Sequence, residues 1–282
     1  MDKDVFKQFF QSYSKNVDNA NRVGFWKLSD EIIKQIIFNH IANKDDDSTI
    51  ILDAGGGTGR WICELSDIYK SNFVLYDLSE DMLERAKVNI SKKGIADRVN
   101  IVKGSLTNMS NINSDSIDYI ISIYSPISFV YEKEKAFKEM FRILKPSGKI
   151  MIMGHGFYNA IYSKVTNYLA NPEELDKLVD MKMVKWAEYV PELNVFSKEI
   201  MESDLKQAGF RIQQTYGVPV FVQPGSEDFD PENKKLSSIS KALQNPEFFN
   251  KVFEIEMKYN SRETISNRGV NIFSVGVKDG PK

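Results

Sequence analysis

The sequence predicts an α/β protein: one doubly wound sheet of seven strands, mostly parallel, with helices before it and helical insertions along one edge. Three observations predict it. Short apolar runs alternate with helix-period stretches over residues 49–155. The first run, Ile50-Ile51-Leu52-Asp53, breaks into a turn with glycines at 55, 56, 57 and 59. The second run, Asn72 to Asp77, again ends in an acid.

Residues 1–48 form a helical segment ahead of the sheet. Val5, Phe6, Phe9, Phe10 and Tyr13 share one helical stripe, and Lys44 to Ser48 is a charged linker. After the glycine turn a helix opens at about Thr58. A strand, a glycine turn and a helix in this order make a nucleoside-cofactor site at the carboxyl edge of a parallel sheet. Glycine takes positive φ and lets a ligand lie against bare backbone. Asp77 follows Asp53 at about the ~20-residue interval at which a carboxylate meets a ribose. Its competing role is to cap the helix from Ser79, whose apolar face is Met82, Leu83 and Ala86. The third strand, Val99 to Lys103, runs into Gly104-Ser105-Leu106, and the fourth, Ile117 to Tyr124, into Ser125-Pro126. A helix from about Lys133 is stopped by Pro146 and Gly148, which turn the chain into the fifth strand.

Residues 156–196 read as a helical, aromatic-rich lid containing Tyr158, Tyr162, Tyr168, Trp186 and Tyr189. Residues 197–282 complete the sheet. A capped helix from Ser197 to Gly209 leads to an antiparallel pair, Arg211 to Phe221 and Val270 to Val277. Between those strands two helices, 231–243 and 246–260, fill a substrate-facing insertion at about 223–262, far longer than an ordinary loop.

A glycine turn of this kind serves a nicotinamide dinucleotide, another nucleoside cofactor, or structure alone. The dinucleotide turn needs glycines at its first, third and sixth positions. Counting from Gly55 the sixth residue is Arg60, and from Gly57 it is Ile62. The spacing present, Asp53-x-Gly55-x-Gly57-x-Gly59, resembles the first motif of the class I S-adenosylmethionine-dependent methyltransferases. Asp77-Leu78-Ser-Glu-Asp-Met82 resembles their second motif, and Leu144-Lys-Pro-Ser-Gly148 a later phrase. The resemblance implies a Rossmann-like sheet, S-adenosyl-L-methionine as cofactor and a transferase of the cytoplasm. It also implies the cofactor contacts. Asp53, Gly55, Gly57 and Gly59 would line the methionyl tail and ribose. Asp77 would take the ribose hydroxyls beside Leu78 and Met82. Gly104, Ser105 and Leu106 would meet the adenine, with Ser105 where aspartate is commoner, and Ile123 would follow the fourth strand. The N-terminal segment would close over the cofactor, bringing in Tyr13, Asn16 and Arg22, with Arg22 on the methionyl carboxylate.

A narrower set of phrases resembles the tRNA 5-carboxymethoxyuridine methyltransferase subgroup: Phe6, Tyr13 to Asn16, Phe157 to Ala160, Phe253 to Glu263 and Gly269. Its late Arg-Tyr pair corresponds to Lys258-Tyr259, which keeps the charge without the bidentate fork. This implies an anionic acceptor held by Tyr158, Lys258, Tyr259 and Arg262.

Composition narrows the acceptor. The net charge of −2 leaves no bulk surface for a polyanion. A small acidic metabolite, methylated on a carboxylate or hydroxyl oxygen, is therefore preferred to a tRNA wobble-uridine carboxylate, and DNA is excluded. A non-catalytic cofactor-binding protein is the third reading. No apolar run approaches a membrane span, and the N-terminus is not a signal peptide. The single Cys63 fits a reducing cytoplasm, and two histidines with one cysteine cannot build a typical zinc site, so no metal is expected. A carboxylate acceptor is already anionic and needs only a cationic clamp. An alcohol or amine needs a base, for which His155 is the first candidate and Tyr13 the second catalytic candidate. Ile123 to Ile127 lacks the Asn-Pro-Pro-Tyr phrase of exocyclic-amine methylases.

Overall fold

The computed structural model describes residues 3–13, 18, 24–42, 45–229 and 235–280. Two helices come first, α1 (Lys3–Tyr13) and α2 (Gly24–His40). The alternating core follows: β1 (Ile50–Ala54), α3 (Arg60–Leu65), β2 (Asn72–Asp77), α4 (Glu80–Lys93), β3 (Val99–Lys103), β4 (Ile117–Ser122), α5 (Lys133–Ile143) and β5 (Leu144–Gly156). The next stretch holds α6 (Phe157–Thr166), α7 (Pro172–Met181), β6 (Met183–Val184) and β7 (Leu193–Phe196). The chain then makes α8 (Lys198–Ala208), β8 (Arg211–Val218), α9 (Ser238–Ala242), α10 (Pro246–Tyr259), α11 (Glu263–Ser266) and β9 (Asn271–Val277).

Seven strands form the central sheet in the order β3-β2-β1-β4-β5-β9-β8. The pairings among β1 to β5 are parallel; β9 is antiparallel to both β5 and β8, so β8 runs with β5. The order reverses between β1 and β4, and the crevice at such a switch point is where an open α/β sheet binds ligands. The remaining two strands are short. Val195 and Phe196 of β7 pair with His155 and Gly156 beyond the end of β4, and β6 pairs with β7.

Period-2 alternation sends Ile51 and Leu52 to opposite faces, each meeting its own helical layer. One layer is built by the fully buried stripe Leu28, Ile32, Ile33, Ile36 and Ile37 of α2, with Ile62 and Leu65 of α3 and Ala86 of α4. The other is built by Phe137 and Met140 of α5 and by Met201 and Leu205 of α8. Each such side chain taken fully out of water is worth about 1.5–3 kcal/mol before ordering costs. A third cluster, Phe157, Ala160, Leu178, Val184, Leu193 and Val195, holds α6 and α7 to the β6–β7 hairpin.

Several boundaries differ from the sequence reading: β4 ends at Ser122 instead of Tyr124, β8 ends at Val218 instead of Phe221, and α9 covers Ser238–Ala242 instead of 231–243. The helix after the glycine turn starts at Arg60 instead of Thr58, because Gly59 is left-handed and its N–H closes a turn onto the Gly56 carbonyl at 2.9 Å. The fifth strand already starts at Leu144, where the reading had Pro146 and Gly148 ending a helix. The β6–β7 hairpin replaces part of an all-helical lid; its strands are too short to show a period. No helix among the described residues is long and apolar enough to cross a membrane.

Candidate active site

The glycine turn is built by its own backbone. Gly55, Gly57 and Gly59 have φ of 77°, 53° and 73°, in the left-handed region that side chains rarely enter. Gly55 also has no room: a Cβ there would stand 2.3 Å from the Cβ of Pro126, in the turn after β4. The turn is fastened to β2. The Gly55 N–H donates to the Tyr76 carbonyl at 2.7 Å, and the Gly57 N–H donates to Asp77 Oδ2 at 2.9 Å. Asp77 Oδ1 accepts from the Ser79 N–H at 2.8 Å, while the Ser79 hydroxyl caps α4 at the Met82 N–H. The capping role weighed for Asp77 thus falls mainly to Ser79. Met82 is buried beside Gly57, and Leu78 is exposed.

Asp53, near the end of β1, is 1% exposed, and its Oδ2 has no hydrogen-bond partner among the described residues. Burial, reinforced by the charge of Asp77 and opposed by Arg60, pushes its carboxyl up to about 8. Burial also raises Asp77, against the N–H donors of Ser79, Gly57 and Leu78. An orphaned acceptor beneath a bare glycine backbone, next to a carboxylate at a β2 terminus, fits a cationic methionyl group joined to a ribose.

The loops after β3 and β4 close the same edge. The Gly104 N–H donates to the Asp77 carbonyl at 2.9 Å, and a Cβ at Gly104 would strike the Tyr76 hydroxyl at 2.0 Å. The Ser105 hydroxyl is 2.8 Å from that of Thr107, and Leu106 and Ile123 are buried. Tyr124 and Ser125 are both left-handed, with φ of 59° and 66°. Arg60 forks onto Asp30 of α2 at 2.7 and 3.2 Å, and the Tyr124 hydroxyl donates to the same carboxylate. Burial works against the Arg60 charge, but Asp30 and Tyr124 outweigh it and raise the group.

Of the N-terminal candidates, Asn16 and Arg22 lie outside the described residues, as does the side chain of Tyr13. Asp18 was not singled out from sequence. Its carboxylate accepts from the Thr58 hydroxyl at 2.6 Å and from Asn89 Nδ2 at 3.0 Å. Phe6, Phe9 and Phe10 of α1 pack on Phe129 after β4, with ring centroids 6.3, 6.0 and 5.1 Å away.

The other half of the edge holds the acceptor candidates. His155 is the penultimate residue of β5; its backbone N–H donates to Ser128 Oγ at 3.0 Å and its ring lies 5.6 Å from Trp186. Burial lowers the imidazole to about 4. Tyr158 is 49% exposed on α6. Beyond β8, the fully buried Glu256 of α10 accepts three consecutive backbone N–H groups, from Val220, Phe221 and Val222 at 2.8, 2.8 and 3.0 Å. That holds Phe221 against Tyr259, 5.9 Å between centroids. Lys258 and Arg262 lie 5.4 and 5.3 Å from the same Tyr259 ring. Among the described residues neither cation has a carboxylate partner. Asn159 of α6 donates to Gln223, tying the lid to this wall. Cys63 carries a thiol that burial pushes up to about 11, which makes it unreactive.

The structure therefore gathers Asp53, Gly55, Gly57, Gly59, Asp77, Met82, Gly104 and Ile123 along the carboxyl edge of β1 to β4. Lys258, Tyr259 and Arg262 cluster three strands beyond β4, at the exit of β8.

Comparison with known proteins follows the same division. Residues 51–148 match the family model described as a methyltransferase domain. The ubiquinone/menaquinone biosynthesis C-methyltransferase UbiE of Yersinia enterocolitica is 32% identical over 105 residues, 36% of this chain and 41% of that one. The tRNA 5-carboxymethoxyuridine methyltransferase of Escherichia coli K12 is 23% identical over 155 residues, 55% of this chain and 56% of that one. The chain thus spans about half the length of these curated relatives. A putative S-adenosyl-L-methionine-dependent methyltransferase from Methanococcus maripaludis superposes with a TM-score of 0.52 at 25% identity, covering 73% of this chain and 88% of its own.

Proposed function

We infer an S-adenosylmethionine-dependent methyltransferase: the chain belongs to class I of that family, and S-adenosylmethionine is its cofactor. The observation that carries this reading is Asp53, a buried acceptor without a partner among the described residues, under a glycine backbone that Asp77 fastens from the next strand. When bound, the cofactor supplies a methyl group activated by a sulfonium. The chain's own share is alignment and exclusion of water. Asp53 faces the methionyl end, Asp77 the ribose, and the loops after β3 and β4 the adenine.

The acceptor we propose is a small acidic metabolite methylated on oxygen. A histidine held near 4 is a poor match for deprotonating an alcohol or ammonium at neutral pH, so His155 orients the acceptor with a neutral ring. Lys258 and Arg262 on either side of Tyr259 supply the cationic grip. At ~4.8 Å per strand, the cluster stands on the order of 14 Å from β4. The group it grips is then a different one from the atom that is methylated. An acceptor with an acid at one end and a second carboxylate at the other, whose oxygen is already anionic and needs no base, satisfies both halves of the edge. The second reading, a tRNA wobble-uridine carboxylate, is favoured by the match to the E. coli enzyme over 55% of this chain.

Methyl-labelled cofactor supplied with a cell extract split into tRNA and small-molecule fractions tests this. Label appearing in the small-molecule fraction supports the proposal. Base-labile label on tRNA promotes the second reading. Cofactor binding with no transfer to either fraction makes the chain a binding protein.

A further inference from the structure

The cofactor crevice has two lips, the turn after β1 and the turn after β4, and both reach one carboxylate. Arg60 is the first residue of α3, directly after the glycine turn, and its guanidinium forks onto Asp30 at 2.7 and 3.2 Å. Tyr124 stands on the opposite lip, and its hydroxyl donates to Asp30 Oδ1. Asp30 belongs to α2, outside the sheet, and is 5% exposed. The guanidinium also lies 5.3 Å from the Tyr124 ring.

The β4 lip needs such support. Tyr124 and Ser125 are consecutive left-handed residues and neither is glycine. Such backbone persists only where its surroundings over-determine it, and it gathers at functional sites. The Ser125 hydroxyl donates to Asn271 at 3.0 Å, Trp26 and Trp61 flank the Tyr124 ring at 5.4 and 6.2 Å, and Pro126 presses on Gly55.

We propose that Asp30, Arg60 and Tyr124 form a strut that sets the width of the cofactor crevice, with Asp30 as the positioning residue for both lips. The strut touches no reacting atom; it acts through the turns it holds. It rests on the reading of that crevice as the cofactor site.

Tyr124→Phe is the decisive variant, because it removes one hydroxyl and leaves the ring packing and the Asp30–Arg60 fork in place. Asp30→Asn would strip a buried guanidinium of its counter-charge and endanger the fold itself. Titration calorimetry of the full chain with S-adenosylmethionine and S-adenosylhomocysteine gives the affinities. Amide exchange of the ligand-free chain follows residues 55–59 and 123–127. The strut predicts that Tyr124→Phe weakens both ligands about tenfold and speeds exchange at 123–127, the lip that loses its tie. Arg60→Lys, which keeps the charge without the fork, shifts both readouts the same way. Phe137→Leu, a core change on the far layer, lowers the melting temperature while leaving both readouts at parental values.

Parental affinity in Tyr124→Phe overturns the strut, as does parental exchange at 123–127. An equal loss of affinity in Phe137→Leu overturns it too. A parent chain that binds neither ligand instead sinks the cofactor reading, and the exchange pattern then decides the strut alone.

Discussion

Asp53 keeps a proton that the unfolded chain gives up. Its carboxyl rises from an ordinary 3.8 to about 8, through burial first and the neighbouring Asp77 second. Between those values the folded state holds this proton and the unfolded state does not, so the contribution of Asp53 to stability is fullest below about pH 4 and is lost as pH rises through about 8. Without cofactor, Asp53→Asn should flatten that slope and unfold at higher urea concentration than the parent at pH 8. Identical slopes would show that Asp53 does not carry the titration. A cationic cofactor drives the same proton off. At pH 7, the enthalpy of cofactor binding should therefore depend on the buffer's ionisation enthalpy in the parent and lose that dependence in Asp53→Asn. Asp77→Ala should abolish measurable cofactor binding while the far-ultraviolet circular dichroism stays parental; undiminished affinity would remove Asp77 from the ribose.

At the scale of elements, the carboxyl edge is a set of backbone turns held by side chains from elsewhere in the chain. Glu256 shows it most clearly, accepting three successive N–H groups from the segment after β8. Glu256→Gln turns a donor toward one of them, most directly the Val220 N–H, and leaving that group unmet inside the fold costs about 1–3 kcal/mol. The expected result is a lower melting temperature, faster exchange at 220–222 and unchanged cofactor affinity. A variant with parental exchange at those amides would deny Glu256 its holding role. Such ties also mark the limit of reading from sequence. The strands through β4, the glycine turn and the acids at 53 and 77 were legible, because period, glycine and chain position are local signals. The tie from Glu256 looked like one more polar position on an amphipathic helix. Asp30 and Asp18 carried no signal, because their partners lie far along the chain. The β6–β7 hairpin was missed because two- and four-residue strands display no alternation.

The proposed function divides the edge between two tasks. The half over β1, β2 and β4 carries the glycine turn, the acids and the matched methyltransferase domain. The half over β5, β9 and β8 carries His155, the lid and the basic–aromatic cluster around Tyr259. If the division holds, the halves fail independently. Lys258→Ala should raise the acceptor concentration needed for half-maximal label transfer severalfold and leave cofactor affinity unchanged. Equal loss of both would make Lys258 a structural residue.

The central claim is that the crevice takes S-adenosylmethionine and no dinucleotide, and titration calorimetry of the full chain with S-adenosylmethionine and with NAD tests it most directly. The account predicts saturable one-to-one binding of S-adenosylmethionine with proton release at pH 7, and no heat from NAD. Saturable NAD binding with none of S-adenosylmethionine would contradict it.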